Sequence, residues 1–303
     1  MERITFNLQG ARSRLQTTLC KPVQFTGRGL FHGIDVTATL LPADAGTGVV
    51  FRRVDLVGEP DIPALCNYVA TVPRRTVLAA SKSATVETVE HLMAALAGLG
   101  VDNCLIEINA PEVPAFDGSC RDFCDGILEA GIQQLDVESD FLHVDHVVNV
   151  RTSDGRQSLT MRPYLHSCLA ITYHLDYGLN SGVASQVFSA EITPEYFYQE
   201  ISAARTFVLE SEIKALQSMG FGRHLTAKDI VVIGDDGVLD NELRWSNEGV
   251  RHKILDCVGD LALSGKILAG HVTAYRSGHH LNHELAGKLS TIRKCDSSIR
   301  NVA

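Results

Sequence analysis

Three hundred and three residues make room for one large domain or two of about 150, either able to bury a core without disulfide or metal staples. Apolar residues make up 45% and charged ones 21%, which excludes disordered, collagen-like and coiled-coil chains. With 27 basic and 36 acidic residues the net charge is −9, a field that excludes general nucleic-acid binding but permits a local basic pocket for one phosphate.

Along the chain, residues 1–13 carry little pattern and read as an N-terminal extension. Met1-Glu2-Arg3-Ile4-Thr5 lacks the apolar core of a signal peptide, and no run of about eighteen apolar residues occurs, so a cytoplasmic chain without a transmembrane segment is expected. From Leu15 to about Val54, short apolar runs punctuated by glycine and proline predict a strand meander. Val86, Val89, Met93, Leu96 and Ala97 recur at helical spacing and predict a helix from Thr85, as cap, to Leu99, ended by Gly98 and Gly100. A strand over Cys104–Ile108 and a helix from Cys120 to Ala130 close the first half. The acidic Asp136-Val137-Glu138-Ser139-Asp140 is the candidate linker between a first α+β domain over 14–137 and a second over 138–303. In that second half, strands are expected around 141–150, 157–162, 168–175 and 184–189. A helix near 194–204 and another ending near Ser218 follow, then a strand over Ile230–Ile233, a helix over 247–264, a strand over His271–Tyr275 and a polar C-terminal helix. The eight cysteines are scattered without a C-x-x-C pair, so free thiols in a reducing compartment are expected, Cys120 and Cys124 included.

The 247–264 helix has two stripes. Val250, Ile254, Val258 and Leu261 face a core, whereas His252, Asp256 and Asp260 stack one turn apart on another face. Histidine and aspartate at i, i+4 serve either a divalent metal or a surface ion pair. Glu90 and His91 interrupt an apolar helix, and a buried carboxylate without a partner costs several kcal/mol. If His91 joins His252 and Asp256, two imidazoles and one carboxylate leave the fourth tetrahedral position open to water, with Glu90 as general base. The alternative is that both simply pair with neighbours. His279 follows a glycine turn next to a strand end, which suits a proton donor whose pKa Asp260 would raise, while His279 and His283, four apart, also admit a second metal site. Lys253 and Arg276 add positive charge, and Thr206, in Arg205-Thr206-Phe207, is either an oxyanion donor or a helix-terminal threonine.

Several stretches carry a resemblance: Thr88-Val89-Glu90-His91-Leu92, Glu112-Val113-Pro114-Ala115-Phe116-Asp117-Gly118-Ser119, Ala204-Arg205-Thr206-Phe207, Arg251-His252-Lys253-Ile254-Leu255-Asp256 with Gly259-Asp260-Leu261, and Ala274-Tyr275-Arg276-Ser277-Gly278-His279. Together, in this order from about residue 14 to 292, they resemble the UDP-3-O-acyl-N-acetylglucosamine deacetylase family, the zinc amidases of lipid A biosynthesis. The resemblance implies Zn2+ held by His91, His252 and Asp256, with Glu90 as general base and His279 as general acid partnered by Asp260. It implies Lys253 and Thr206 at the oxyanion and substrate, Phe207 and Asp117 as substrate-binding residues, and Arg276 near the diphosphate. The implied fold is α+β, two β-α-α-β layers forming a sandwich with the helices packed face to face inside. The implied partner is an acylated UDP-sugar, met by a monomer with at most peripheral contact with the inner membrane.

The chain departs from the family pattern in four places. Phe31 stands in Gly29-Leu30-Phe31-His32-Gly33 where the family has histidine, and Arg223-His224-Leu225-Thr226-Ala227-Lys228-Asp229 replaces a Gly-Gly-Ser stretch that frames the acyl passage. Asp145 aligns with a family lysine, and Arg74 and Arg75 are unusual arginines offered as compensating phosphate contacts. The rival readings are a deacetylase of another N-acetylated sugar nucleotide and a noncatalytic zinc-binding protein on the same fold.

Overall fold

The computed structural model describes residues 12–178 and 181–292, so residues 1–11 of the expected extension, and Cys295, lie outside the described residues. A five-stranded sheet forms in the first half, in the spatial order Val23–Arg28, Asp35–Pro42, Cys104–Ile108, Val49–Arg53, Asp61–Pro63. Period-two alternation sets its inner face: Val36, Ala38 and Leu40 point inward together with Cys104, Ile106 and Ile108. Helices α1 (Glu90–Leu99) and α2 (Arg121–Ala130) belong to this half, and α2 packs against the Val23–Arg28 strand.

The second, seven-stranded sheet is organised around Ile267–Tyr275, which pairs antiparallel with Ser158–Arg162 and parallel with Leu169–Leu175. Chain order in this half runs through α3 (Pro194–Tyr196), continued by a π-helical turn at Phe197–Ile201, then α4 (Glu210–Ser218), α5 (Glu248–Ala262) and α6 (His279–Thr291). Helices α1 and α5 press together between the sheets, and Gly259 is the point of closest approach: a Cβ there would sit 2.0 Å from the carbonyl oxygen of Glu90. The architecture is therefore the expected α+β sandwich with helices inside.

Two small sheets flank this core. One joins Val69–Ala70, Val77–Ala79 and Thr85–Glu87; the other joins Phe207–Leu209, Val231–Gly234 and Gly237–Leu239, with α4 packed across it.

Four expectations need correction. Thr85 does not cap a helix: Thr85–Glu87 is a strand, where β-branched Thr85 and Val86 pair with Val77–Ala79. Thr88 then takes a positive φ of 58° and α1 starts only at Glu90. The acidic stretch 136–140 is no linker but the middle of the strand Ile132–His143, and the division at residue 137 falls within that strand. Its partner is Ser13–Leu19, which leaves the expected meander to join the second half's sheet, while Val49–Arg53 runs parallel to Cys104–Ile108. The helix expected over 194–204 is one capped turn plus a π-turn, so Arg205 and Thr206 lie in an irregular segment.

Candidate metal centre and active site

Helix α1 contributes Glu90 and His91, and α5 contributes His252, Lys253, Asp256 and Asp260. The polar stripe of α5 does not face water. His252, Asp256 and Asp260 are each at most 3% exposed, because α1 lies over that face. Nε2 of His252 and Nε2 of His91 lie 3.2 and 3.6 Å from Oδ1 of Asp256, with the two imidazoles edge to face.

Nδ1 of His252 donates to the carbonyl oxygen of Ala204 at 3.0 Å, so a singly protonated ring turns its Nε2 lone pair toward Asp256. Asp256 Oδ1 is buried and has no hydrogen-bond partner. Acceptor atoms facing one another without a hydrogen between them are what a cation would join. A tetrahedral ion bound at about 2.0–2.1 Å holds its ligand atoms about 3.3 Å apart, which these spacings match. The residues present therefore fit a divalent metal.

The other oxygen of Asp256 accepts from Lys253 Nζ at 2.9 Å. Burial opposes the charge of Asp256, but the Lys253 ammonium beside it helps hold this carboxyl well below the usual range. Burial likewise opposes the Lys253 charge, and Asp256 outweighs it and raises the ammonium pKa. His91 is pulled below its ordinary value, chiefly by burial.

Beside these three side chains stands Glu90. Its Oε2 accepts from the Thr76 backbone N–H at 3.0 Å, and its Oε1 lies 3.9 Å from Nε2 of His279. Burial pushes Glu90 up to about 8, with His279 pulling against it and Asp260 and Asp256 reinforcing it. Across the cleft, at the start of α6, Nδ1 of His279 donates to Oδ2 of Asp260 at 2.8 Å, so the ring's other nitrogen faces Glu90. Burial works against a charged His279, but Asp260 outweighs it and raises the imidazole to about 9.

These groups form the floor of a cavity of about 1240 Å³. Thr206, Phe207, Lys253 and Arg276 line its wall with Glu90, His91, His252, Asp256 and His279. Lys253 Nζ stands 5.7 Å from the Phe207 ring centre. Arg276 anchors its Nε on the carbonyl of Asp176 at 2.7 Å and takes a positive φ of 53°. The cavity also has apolar lining: Leu209, Ile213, Leu216, Phe221, Ile230 and Val232, from the small sheet, α4 and the segment between them.

Asp117 is not brought to this wall. Its carboxylate is taken up by Ser119 (2.9 and 2.7 Å) and Arg244 (2.6 Å), and it braces the loop whose Gly118 carbonyl accepts the Thr206 N–H at 2.9 Å. The arginines offered as phosphate contacts carry ion pairs, and Arg74 lines the cavity. Arg74 is paired with Glu212 at 2.7 Å, and Arg75 with Glu87 at 2.7 Å. The Arg75 guanidinium also lies against Phe31 and Phe221, 4.4 and 4.9 Å from their ring centres. Phe31, at the family's histidine position, thus serves this stack, and Glu112 fastens its turn by accepting from the backbone of Phe31 and His32 at 2.8 and 3.0 Å. Asp145 is exposed and paired with His146. Cys120 and Cys124 are buried free thiols with sulfurs 4.0 Å apart.

Residues not anticipated from sequence also shape the site. Glu248 is buried and accepts from the Arg205 backbone and side chain at 3.0 and 2.8 Å, which pins the segment carrying Thr206. Thr76, from the strand-poor stretch before Val77, touches both Glu90 and Asp260. No spacing rule links position 76 to a helix 184 residues away. A further group of ligand-type side chains, His166, Cys168 and Glu191, lies toward the surface, where His166 and Glu191 bond to each other at 3.2 Å.

The model of the UDP-3-O-acyl N-acetylglycosamine deacetylase family matches residues 16–291. The chain belongs to that family. It is 39% identical over 281 residues to the UDP-3-O-acyl-N-acetylglucosamine deacetylase of Myxococcus xanthus (strain DK1622), covering 92% of this chain and 88% of the relative. Its identity to the like-named protein of Citrifermentans bemidjiense is 42% over 275 residues, 90% of this chain and 88% of that one. A third deacetylase of this name, from Geotalea uraniireducens (strain Rf4), shares 39% over 281 residues, covering 92% and 90%. Of the stretches quoted from the sequence, those around Glu90, Thr206, His252 and His279 meet at the cavity, whereas Glu112–Ser119 does not line it.

Proposed function

We propose that this chain hydrolyses the 2-acetamido group of UDP-3-O-acyl-N-acetylglucosamine, releasing acetate and leaving a free 2-amino sugar that keeps its acyl chain, an early step of lipid A biosynthesis. The observation that carries this reading is the unpartnered Asp256 Oδ1 facing two imidazole Nε2 atoms beside Glu90 and His279. His91, His252 and Asp256 would hold Zn2+, which when bound would supply a water of lowered pKa and polarise the carbonyl. Glu90, on the cavity floor beside His91, takes the proton of the attacking water. Thr206, on the cavity wall, donates to the developing oxyanion, and Lys253 adds positive charge there. His279, kept protonated by Asp260, gives its Nε2 proton to the leaving nitrogen. Phe207 bounds the sugar, Arg276 meets the diphosphate, and the apolar lining contributed by Leu209, Ile213, Leu216 and Phe221 accepts the acyl chain. Asp117 serves by bracing the Thr206 loop rather than by touching substrate.

No described helix is long and apolar enough to cross a membrane. The working form is read as a cytoplasmic monomer that meets the inner membrane only at its periphery, from the resemblance alone. The test is acetate release from UDP-3-O-acyl-N-acetylglucosamine by metal-loaded and chelator-treated protein, with the same sugar nucleotide lacking the acyl chain as control. Rapid release that depends on both metal and chain is expected. Indifference to the chain would transfer the reading to another N-acetylated sugar nucleotide.

A further inference from the structure

Asp260 is fully buried, and its carboxylate receives four side-chain hydrogen bonds. Oδ2 accepts from His279 Nδ1 and from Asn282 Nδ2, both at 2.8 Å. Oδ1 accepts from the Thr76 hydroxyl at 2.6 Å and lies 3.2 Å from Nε2 of His283. The same Nε2 is 2.9 Å from Thr76 Oγ1. A threonine hydroxyl has one hydrogen. At Thr76 it is spent on Asp260, so toward His283 the oxygen offers a lone pair, and the hydrogen in that contact belongs to the imidazole. His283 is thus the Nε2–H form, with its proton shared between Thr76 and Asp260.

His279 and His283 are one turn apart on α6, and their rings lie within 29° of parallel. His279 lines the cavity; His283 does not, and its hydrogen bonds reach the site through Asp260 and Thr76. A buried carboxylate with both oxygens engaged is held against rotation about its Cβ–Cγ bond. Removing the His283 donor leaves Oδ1 with Thr76 alone and loosens that hold, and Oδ2 carries His279 with it. We propose that His283 is a positioning residue that, by closing the Oδ1 side of Asp260 together with Thr76, fixes the His279 imidazole in the orientation that aims Nε2 into the cavity. This rests on the reading of His279 as the proton donor.

The test compares His283→Ala with His283→Gln, whose amide nitrogen falls near the imidazole Nε2 and keeps a donor there. The alanine variant is expected to lose roughly ten- to a hundredfold in kcat, the scale on which small misplacements of a reacting group act. KM and metal content should be unchanged, and the glutamine variant should regain most of the loss. The 15N-resolved Nδ1–H signal of His279 should weaken in the alanine variant and return with glutamine. Should the alanine variant fail to fold, His283→Leu fills the space without a donor and gives the same readout. Unaltered kcat in the donor-free variant overturns the proposal, as does a glutamine variant no better than alanine. Loss of a second bound metal ion on removing His283 also overturns it, since Asp260, His279 and His283 would then be cation ligands. His279→Ala measured alongside separates the two readings. If it is slow while His283→Ala is not, only the positioning role fails; if it keeps its rate, the proton-donor reading itself is lost.

Discussion

Asp256 and Asp260 stand one turn apart on the same buried face of α5, yet the two ends of the site treat them oppositely. Around Asp256, one oxygen is given to Lys253 while the other faces two imidazoles with no hydrogen bond. Around Asp260, both oxygens are filled by Thr76, His283, His279 and Asn282. An unfilled acceptor among acceptors asks for a cation, whereas a filled one orients its donors. The same side chain thus suits a cation at one end and the orienting of a histidine at the other, and the partners across the cleft make the difference.

The strongest way to break this comparison is Asp256→Ala. Removing that carboxylate leaves two imidazoles and an unpaired buried Lys253, so stoichiometric metal is expected to be lost and acetate release to fall to background, as read by metal analysis and turnover. Next is Glu90→Gln, which keeps the shape but not the base: kcat should fall by roughly 10²–10⁴ with metal retained, and an unslowed variant would remove Glu90 from its role. The proton-handling end is sharpened by pH. With His279 raised to about 9, the imidazole is charged below that value and neutral above it, so kcat/KM should decline on the alkaline side, about tenfold per pH unit. Asp260→Asn removes the charge that raises His279 and should draw the limb to lower pH. Smaller still is Gly259→Ala at the seam between α1 and α5. Its methyl would press on the Glu90 carbonyl and should destabilise the fold by about 1–3 kcal/mol in chemical denaturation. The exposed pair Arg74–Glu212 marks the low end, where Arg74→Ala should change stability by no more than about 1 kcal/mol.

Much of this was legible in the letters because the relevant signals are short-range. The period of α5 puts His252 and Asp256 on one face, and Cys104–Ile108 matches its expected strand residue for residue. Other expectations failed where a distant partner decided the outcome. Thr85 and Glu87 carry good helix-start chemistry, yet pairing with Val77–Ala79 makes them a strand. The acidic 136–140 stretch reads as a linker because exposed edge residues and linker residues share a composition, and only its register with Ser13–Leu19 separates them.

The sequence by itself determined the family, the helices that carry the ligand-type residues, and the spacing that lets one helix present a histidine and an aspartate together. Only the tertiary structure decided which aspartate is left with an open oxygen and which is saturated, because the hydrogens that fill Asp260 come from Thr76, 184 residues away, and from α6, 19 to 23 residues on. Hydrogen-bond capacity is a property of a side chain, but its satisfaction depends on what the fold brings within 3 Å, and that is where the chemistry of this site is set.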